Sequence, residues 1–345
     1  AVACDDLEEN METLRHFKQS QSLRVAAADV TGVLHIMKVS DYLTWIAEVI
    51  LHYAVEIAWN DMTTRYGQPR AQDGTTGKKG FAIIGFGKMG GIELGYSSDL
   101  DMVFVFANEY AGQSTDGEKT VDNQQFYSKL SLRIMHILQT KTPSGLLYEA
   151  DMRLRPNGNS GLITTHLNAF RTYELDKAWT WEHQALVRAR MVAGDTDLLN
   201  GFQQIRHEVL GKDRDTAKLK QEVREMRSKM RQSLAKSKPG FFDIKQDFGG
   251  LADIEFMVQF MVLNYAHQHA GLMTFTDNIR ILDAVEKEQL LPQSTVNDLR
   301  DSYRAYRDRL HQLSLQEVSG IVPEQEFSEQ REKIQEYWVG LMGAE

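Results

Sequence analysis

The sequence carries one cysteine, Cys4, in 345 residues. An internal disulfide and a multi-cysteine metal site are therefore excluded, and the scarcity fits a reducing cytosol. Basic charge is not in excess: the formal net charge is −9. A chain of that sign is not built to hold a nucleic-acid backbone, so no nucleic-acid partner is expected, although a local basic cleft can still take a nucleotide. No apolar run approaches the ~18 residues that a membrane span needs, so no membrane association is expected either. The N-terminus is acidic and polar, unlike a signal peptide. It does not begin with methionine, which suits a processed terminus or a piece of a longer protein. No internal repeat is found. The expectation from these absences is a soluble cytoplasmic protein.

What is present is an ordinary globular balance, 42% hydrophobic and 25% charged, at a length that suggests two domains or one with an appendage. Residues 41–64 repeat apolar side chains at helical spacing, with Ser40 as N-cap. Residues 67–80 mix glycine, proline and charge without period and read as a loop. Strands are expected at Phe81–Phe86, Leu100–Phe106, Leu146–Arg155 and Gly161–Thr165, with a helix at 122–139. From 167 onward almost everything reads as helix: 167–192, 217–235, 252–268, 277–289, 296–318 and 325–342, with 236–250 irregular. The fold class is therefore α+β, a small mixed sheet followed by an α-helical bundle. Three segments follow: 1–66, helical and packed on the next; 67–212, the α/β unit; and 213–345, the bundle.

Gly85-Phe86-Gly87-Lys88-Met89-Gly90 is a literal G-x-G-x-x-G after an apolar strand, which raises a dinucleotide-binding reading. That reading needs a long crossover helix between parallel strands. Only Ile92-Glu93-Leu94 stand before Gly95-Tyr96-Ser97-Ser98 and the next strand, and the space is too short. On that strand Asp99 and Asp101 share a face while Leu100 and Met102 point to the core. Two adjacent carboxylates repel unless a cation neutralises them, and hard oxygen ligands suit Mg²⁺. Glycines just upstream let backbone N–H groups approach phosphates, and Lys88 adds a positive charge to the loop. This order, a glycine pair, a short turn and two acids flanking an apolar residue, resembles the polymerase-beta nucleotidyltransferase superfamily. That superfamily takes a third acid from a neighbouring strand. Asp151, Arg153 and Arg155 alternate with Met152 and Leu154, so an acid and two guanidiniums are expected on one face, suited to metal and phosphate. Two Mg²⁺ ions on the three acids would bridge to a triphosphate, with Asp151 beside the nucleophile as base or ligand. Lys88, Arg153 and Arg155 would balance the charge that builds during transfer.

Four stretches, GFGKMGGIELGYSSDLDMVFVF, YEADMRLRPNGNSGLI, AWTWEHQALVRARMVAGD and GGLADIEFMVQFMVLNYAH, together resemble the glutamine synthetase adenylyltransferase family, in that family's order, over residues 11 to 320. The departures are small: Met89 stands where leucine is usual, and Asp247-Phe248 precede the second glycine pair. The resemblance implies Asp99, Asp101 and Asp151 as catalytic and metal-binding residues. It implies Gly90, Gly91 and Ser98 in the nucleotide-binding loop. Full-length members carry two such units, one attaching AMP from ATP to a tyrosine of glutamine synthetase and one removing it by phosphorolysis. The stretch from Trp179 to Arg190 is more similar to the C-terminal, adenylylating half. The same resemblance implies a PII-type signal protein and glutamine as effectors. The removing unit and a non-catalytic effector-binding module are the alternatives.

Lesser candidates have plainer readings beside them. Asp253 and Glu255 either complement a helix dipole or reach back to the site arginines. Lys245 could reach a phosphate or simply be exposed. Trp179 and Trp181 are expected to be buried packing rather than an adenine stack. Glu182 and His183 read as structural. His267 and His269, two apart on a helix, do not share a face and make no metal site. Arg224, Arg227 and Arg231 read as a solvated face, with docking of an acidic partner as the other possibility.

Overall fold

The computed structural model describes residues 6–234 and 236–343, so Cys4 lies outside the described residues. Two long antiparallel-running helices, α1 (Leu7–Val30) and α2 (Ile36–Tyr66), come first. Asp6 caps α1 through the Glu8 backbone N–H. The α2 helix starts before the expected position, and Ser40 is not its cap. Ser40 is buried one turn in, where its hydroxyl accepts from Arg307 Nη2 at 2.7 Å. Ile36 and Val39 are buried as well, so packing extends the helix ahead of the polar residue that looked like a boundary.

The central sheet is built from β1 (Phe81–Gly85), β2 (Leu100–Phe106), β3 (Ala150–Asp151), β4 (Thr164–His166) and β5 (Arg190–Gly194). Its order is β3-β2-β1-β5, and β4 also pairs with β2. β1 runs antiparallel to β2 and β5, while β3 and β4 run parallel to β2. Antiparallel pairing explains how so few residues suffice between β1 and β2: no crossover is required. They hold only one four-residue turn of helix, α3 (Gly87–Gly90), and a loop. All five residues of β1 are buried, and Phe81, Phe106 and Tyr127 stack over the sheet. Tyr127 lies on α4 (Asn123–Gln139), capped by Asp122. Buried Arg15 of α1 donates to Met11, Ile137 and Thr140 carbonyls, which satisfies the open end of α4 and ties α1 to it.

Two expected elements differ. The strand foreseen at Leu146–Arg155 is cut to Ala150–Asp151, because the chain turns at Arg153. The helix foreseen at 167–192 breaks into α5 (Leu167–Asp176), α6 (Thr180–Val187) and β5. Arg188 is pulled into the interior at the end of α6, and the chain then turns onto the edge of β1. The remaining helices are α7 (Asp197–Leu210), α8 (Thr216–Leu234), α9 (Leu251–Tyr265), α10 (Asn278–Lys287), α11 (Gln293–Leu315) and α12 (Ser328–Met342). A two-stranded ribbon, β6 (Phe241–Asp243) with β7 (Ile321–Pro323), falls inside the stretch read as irregular and just past a helix end. The molecule is thus a mixed helix-and-sheet structure, with α9 buried along most of its length. Among the described residues no helix is long and apolar enough to cross a membrane.

Candidate active site

Leu100 and Met102 are fully buried, which forces the intervening Asp101 and the preceding Asp99 toward the other face. Parallel pairing sets Asp101 directly beside Asp151 of β3. Ligand oxygens of Asp99, Asp101 and Asp151 all lie within 4.8 Å of one another. Burial, then the charges of Asp99 and Asp151, push the Asp101 carboxyl up to about 6. Asp151 behaves oppositely: burial works to raise it, but the Arg153 side chain and backbone N–H, both bonded to its carboxylate, outweigh that and lower it. Three crowded acids, one of them resisting ionisation, are a donor set that fits a hard divalent cation.

The glycine turn lies against these acids through Gly87. Its φ is +54°, and a Cβ there would fall 2.6 Å from Asp101 Oδ2. Gly90 and Gly91 sit on the buried side instead. A Cβ at Gly90 would lie 1.9 Å from the Arg188 carbonyl oxygen, and one at Gly91 2.7 Å from Arg188 Nη2. The Gly90 carbonyl accepts from Thr276 Oγ1 at 2.8 Å and Arg190 Nε at 3.1 Å. The pair therefore lets α3 pack tightly on the connection between α6 and β5.

Ser98 accepts from the Gly95 N–H at 2.9 Å and lines a cavity of about 180 Å³ with Lys88, Lys245, Arg307 and His311. Burial, then Lys245 and Arg307, bring the Lys88 ammonium down to about 8. His311 is held down to about 3 by burial, then by Arg307 and Lys88, so it faces the cavity neutral. Arg153 and Arg155 lie elsewhere. Arg153 is exposed on Asp151, with Nε at 2.7 Å from its carboxylate. Arg155 folds back to donate to the carbonyls of Met152 at 2.9 Å and Asn159 at 3.2 Å. They do not alternate along a strand, since the strand has ended, and the two guanidiniums do not meet Lys88 and Ser98 in one cavity.

The residue that sequence reading passed over is Glu93. It is fully buried at the stem of the loop. It accepts from Arg188, from the Asn278 N–H at 3.0 Å and from Tyr303 Oη at 2.5 Å, and Arg307 stands 3.3 Å away. Arg188 also pairs with Glu255 at 2.7 Å. Arg307 reaches the Glu93 carbonyl at 2.8 Å as well as Ser40. One carboxylate thus fixes the loop carrying Ser98 to α10 and α11, and its two arginines extend the network to Glu255 of α9 and Ser40 of α2. The glutamate stood among Ile92 and Leu94 in the sequence, which signals burial, but its partners are remote.

The other candidates resolve locally. Asp253 is buried and pairs with Arg227 at 2.6 Å, so it makes no contact with the site arginines. Arg227 is fully buried, which corrects the solvated face expected of that arginine series, and Arg231 lies 3.7 Å from the same acid. Trp179 is 70% exposed and Trp181 36%, against the expected burial. Trp179 is the N-cap of α6 and Trp181 lies in its first turn, whereas its buried positions are Glu182, Gln184, Leu186 and Val187. Glu182 caps that helix through the Trp179 N–H, and His183 bonds the Glu174 carbonyl. His267 and His269 meet different acids, Asp213 and Glu288.

A carboxylate triad, with Asp99 exposed and Asp101 and Asp151 half-buried, and a lysine-lined cavity starting at the preceding Ser98 make a site suited to cation-assisted chemistry on a phosphate. The glutamate-ammonia ligase adenylyltransferase family profile matches residues 1–205, and the GlnD PII-uridylyltransferase profile matches residues 217–320. The chain is 52% identical over 98% of its length to a bifunctional glutamine synthetase adenylyltransferase/adenylyl-removing enzyme of Thioalkalivibrio sulfidiphilus, covering 35% of that protein. It is 52% identical over 99% of its length to the enzyme of the same description from Nitrosococcus oceani, again covering 35%. For that of Pseudomonas putida the figures are 47%, 97% and 35%. The chain belongs to the glutamate-ammonia ligase adenylyltransferase family, and it spans about a third of the length of these relatives.

Proposed function

We propose that this chain transfers AMP from ATP to a tyrosine hydroxyl of glutamine synthetase and releases pyrophosphate. The convergence of Asp99, Asp101 and Asp151 within 4.8 Å carries the reading. We read residues 67–212 as a polymerase-beta-like nucleotidyltransferase domain, 1–66 as its helical support and 213–345 as an α-helical bundle. The three acids would hold Mg²⁺, two ions in this reading, which when bound neutralise the triphosphate and acidify the attacking hydroxyl.

The chain's own residues do the remainder. Asp151 takes the hydroxyl proton. The tyrosine oxygen bonds the α-phosphorus, and the bond to the α–β bridging oxygen breaks. Lys88, with Lys245 across the cavity, receives the departing phosphates, and Ser98 holds the loop that faces them. Gly90 and Gly91 keep the α3 turn in place beneath that loop. Arg153 and Arg155 add positive charge on the other side of the acids. The stretch from Trp179 to Arg190 supports the C-terminal, adenylylating half. The match of residues 217–320 to a PII-uridylyltransferase profile fits control of the longer enzyme by a PII-type signal protein and glutamine. A cytoplasmic setting follows from that substrate.

The chain incubated with labelled ATP, Mg²⁺ and glutamine synthetase should label the synthetase. Asp101→Asn should bring incorporation to background with an unchanged far-ultraviolet spectrum; incorporation at the original rate would sink the site assignment. The relatives' names also carry the removing activity. Adenylylated synthetase plus phosphate tests it: ADP release without forward labelling would make phosphorolysis the function. Failure to bind Mg²⁺–ATP at all would leave an effector-binding module.

A further inference from the structure

Two separate spaces lie on either side of the Ser98–Asp99 step in the chain, and Asp99 and Asp151 line only the second. Ser98 lines the cavity with Lys88, Lys245 and Arg307. The next residue, Asp99, lines a second, open groove of about 550 Å³ together with Asp151, Met135, Met152, Arg153 and Asn159. The two spaces share no lining residue, and Ser98 of the first and Asp99 of the second are neighbours in the chain. In-line transfer needs such an arrangement, because the acceptor enters and the leaving group departs on opposite sides of the α-phosphorus. Three cations suit the first space to pyrophosphate. The second has the half-buried Met135 in its lining with Asp151, and its volume falls in the range of small-ligand sites, about 300–1,000 Å³.

We propose that this groove is the acceptor subsite, seating the phenol ring of the protein acceptor against Met135 with its hydroxyl at Asp151. The inference rests on the adenylylation reading and names where the acceptor sits. Thioether side chains are polarisable and take aromatic edges well. The wall of the groove is preformed: Arg155 ties the carbonyls of Met152 and Asn159 together, and Gln139 of α4 donates to the Ala150 carbonyl at 3.0 Å. The helix that carries Met135 also presents an exposed apolar residue one turn away. Leu132, Met135 and Gln139 fall at i, i+3 and i+7 on one face of α4, and Leu132 is 57% exposed. That apolar side chain is placed to meet the segment flanking the acceptor residue.

The test uses Met135→Trp, which fills the ring seat without adding charge, and Leu132→Asp on the exposed face of α4; neither replaces an acid of the cluster. Initial rates with the 345-residue chain are read against glutamine synthetase and, separately, against Mg²⁺–ATP. KM for the synthetase should rise about 5-fold or more in each variant, with KM for ATP within about 2-fold, as expected when acceptor binding alone is lost. Thermal melts within a few degrees of the parent establish that both variants are folded. Unchanged KM for the synthetase in both overturns the subsite, as does a rise in KM for ATP in its place, which would give the groove to the nucleotide. If the parent chain labels no synthetase, the adenylylation reading itself has failed, a result visible before any variant is made.

Discussion

At the residue scale the acids were legible and their supports were not. Asp99 and Asp101 could be paired from strand period alone, and Asp151 from its motif. Their neighbours depend on the fold. Glu93 meets Arg188, 95 residues away, and Arg307, 214 residues away, distances no local pattern encodes. Arg227 read as solvated because its helix face is crowded with charge, yet it is buried on Asp253. Buried acids also leave a measurable trace. Glu174 is buried, with Oε2 unpaired, and burial followed by the charge of Glu182 pushes its carboxyl up to about 8. The unfolded chain ionises this group near 4.5. Between those values the folded state holds the extra proton, so stability falls as pH rises through the window, and the loss is complete above about 8. Thermal melts from pH 5 to 9 should fall less steeply for Glu174→Gln than for the parent. Parallel curves would show that Glu174 is already ionised in the fold.

At the element scale, period served where one face is buried and partners are near. The strand Leu100–Phe106 stands as expected, and helix 122–139 moved by one residue. β5 was missed because it is a half-buried edge strand whose Arg190 pairs with Glu48 on α2, so no alternation shows. The split between α5 and α6 was missed because Trp179 and Trp181 look like core residues in a continuous helix, whereas they face solvent. The glycine turn shows how an element can be fixed by what a side chain would displace. A Cβ at Gly90 would meet backbone on two sides, the carbonyl oxygens of Arg188 at 1.9 Å and Gly85 at 2.4 Å. Gly90→Ala should destabilise by about 2 kcal/mol or more, as overpacking against atoms that cannot yield does. Gly340, on α12, has nothing within 4 Å of that position. Gly340→Ala should stabilise by about 1 kcal/mol through helix propensity. Urea melts of the two variants check both signs together; equal effects would contradict the packing described for α3.

At the scale of the whole molecule, the sheet and the C-terminal helices are joined by polar contacts of which the buried charged ones gather around Glu93. Arg188 arrives from the sheet side, Asn278, Tyr303 and Arg307 from α10 and α11, and Glu255 from α9. Arg188 and Arg307 are both buried, and Glu93 is the carboxylate that faces both, with Glu255 sharing Arg188. Removing one member of a buried charge network leaves the others uncompensated, at a cost of about 3–5 kcal/mol. Glu93→Gln keeps the shape and loses the charge, and it should destabilise by that order. Arg188→Met alone should do likewise. The double variant should cost less than the sum, because each single change already breaks the same contact. Calorimetry adds a readout that simple loss of packing would not give. If Glu93 couples the two parts, the parent should unfold in one transition, and Glu93→Gln should separate into two. The lysine-lined cavity lies between those parts, bounded by Lys88 and Ser98 on one side and Lys245 and Arg307 on the other. Loosening the joint should therefore weaken Mg²⁺–ATP binding even though Glu93 lines neither cavity. A single transition with additive costs and unchanged ATP binding would mean that Glu93 is only a local brace.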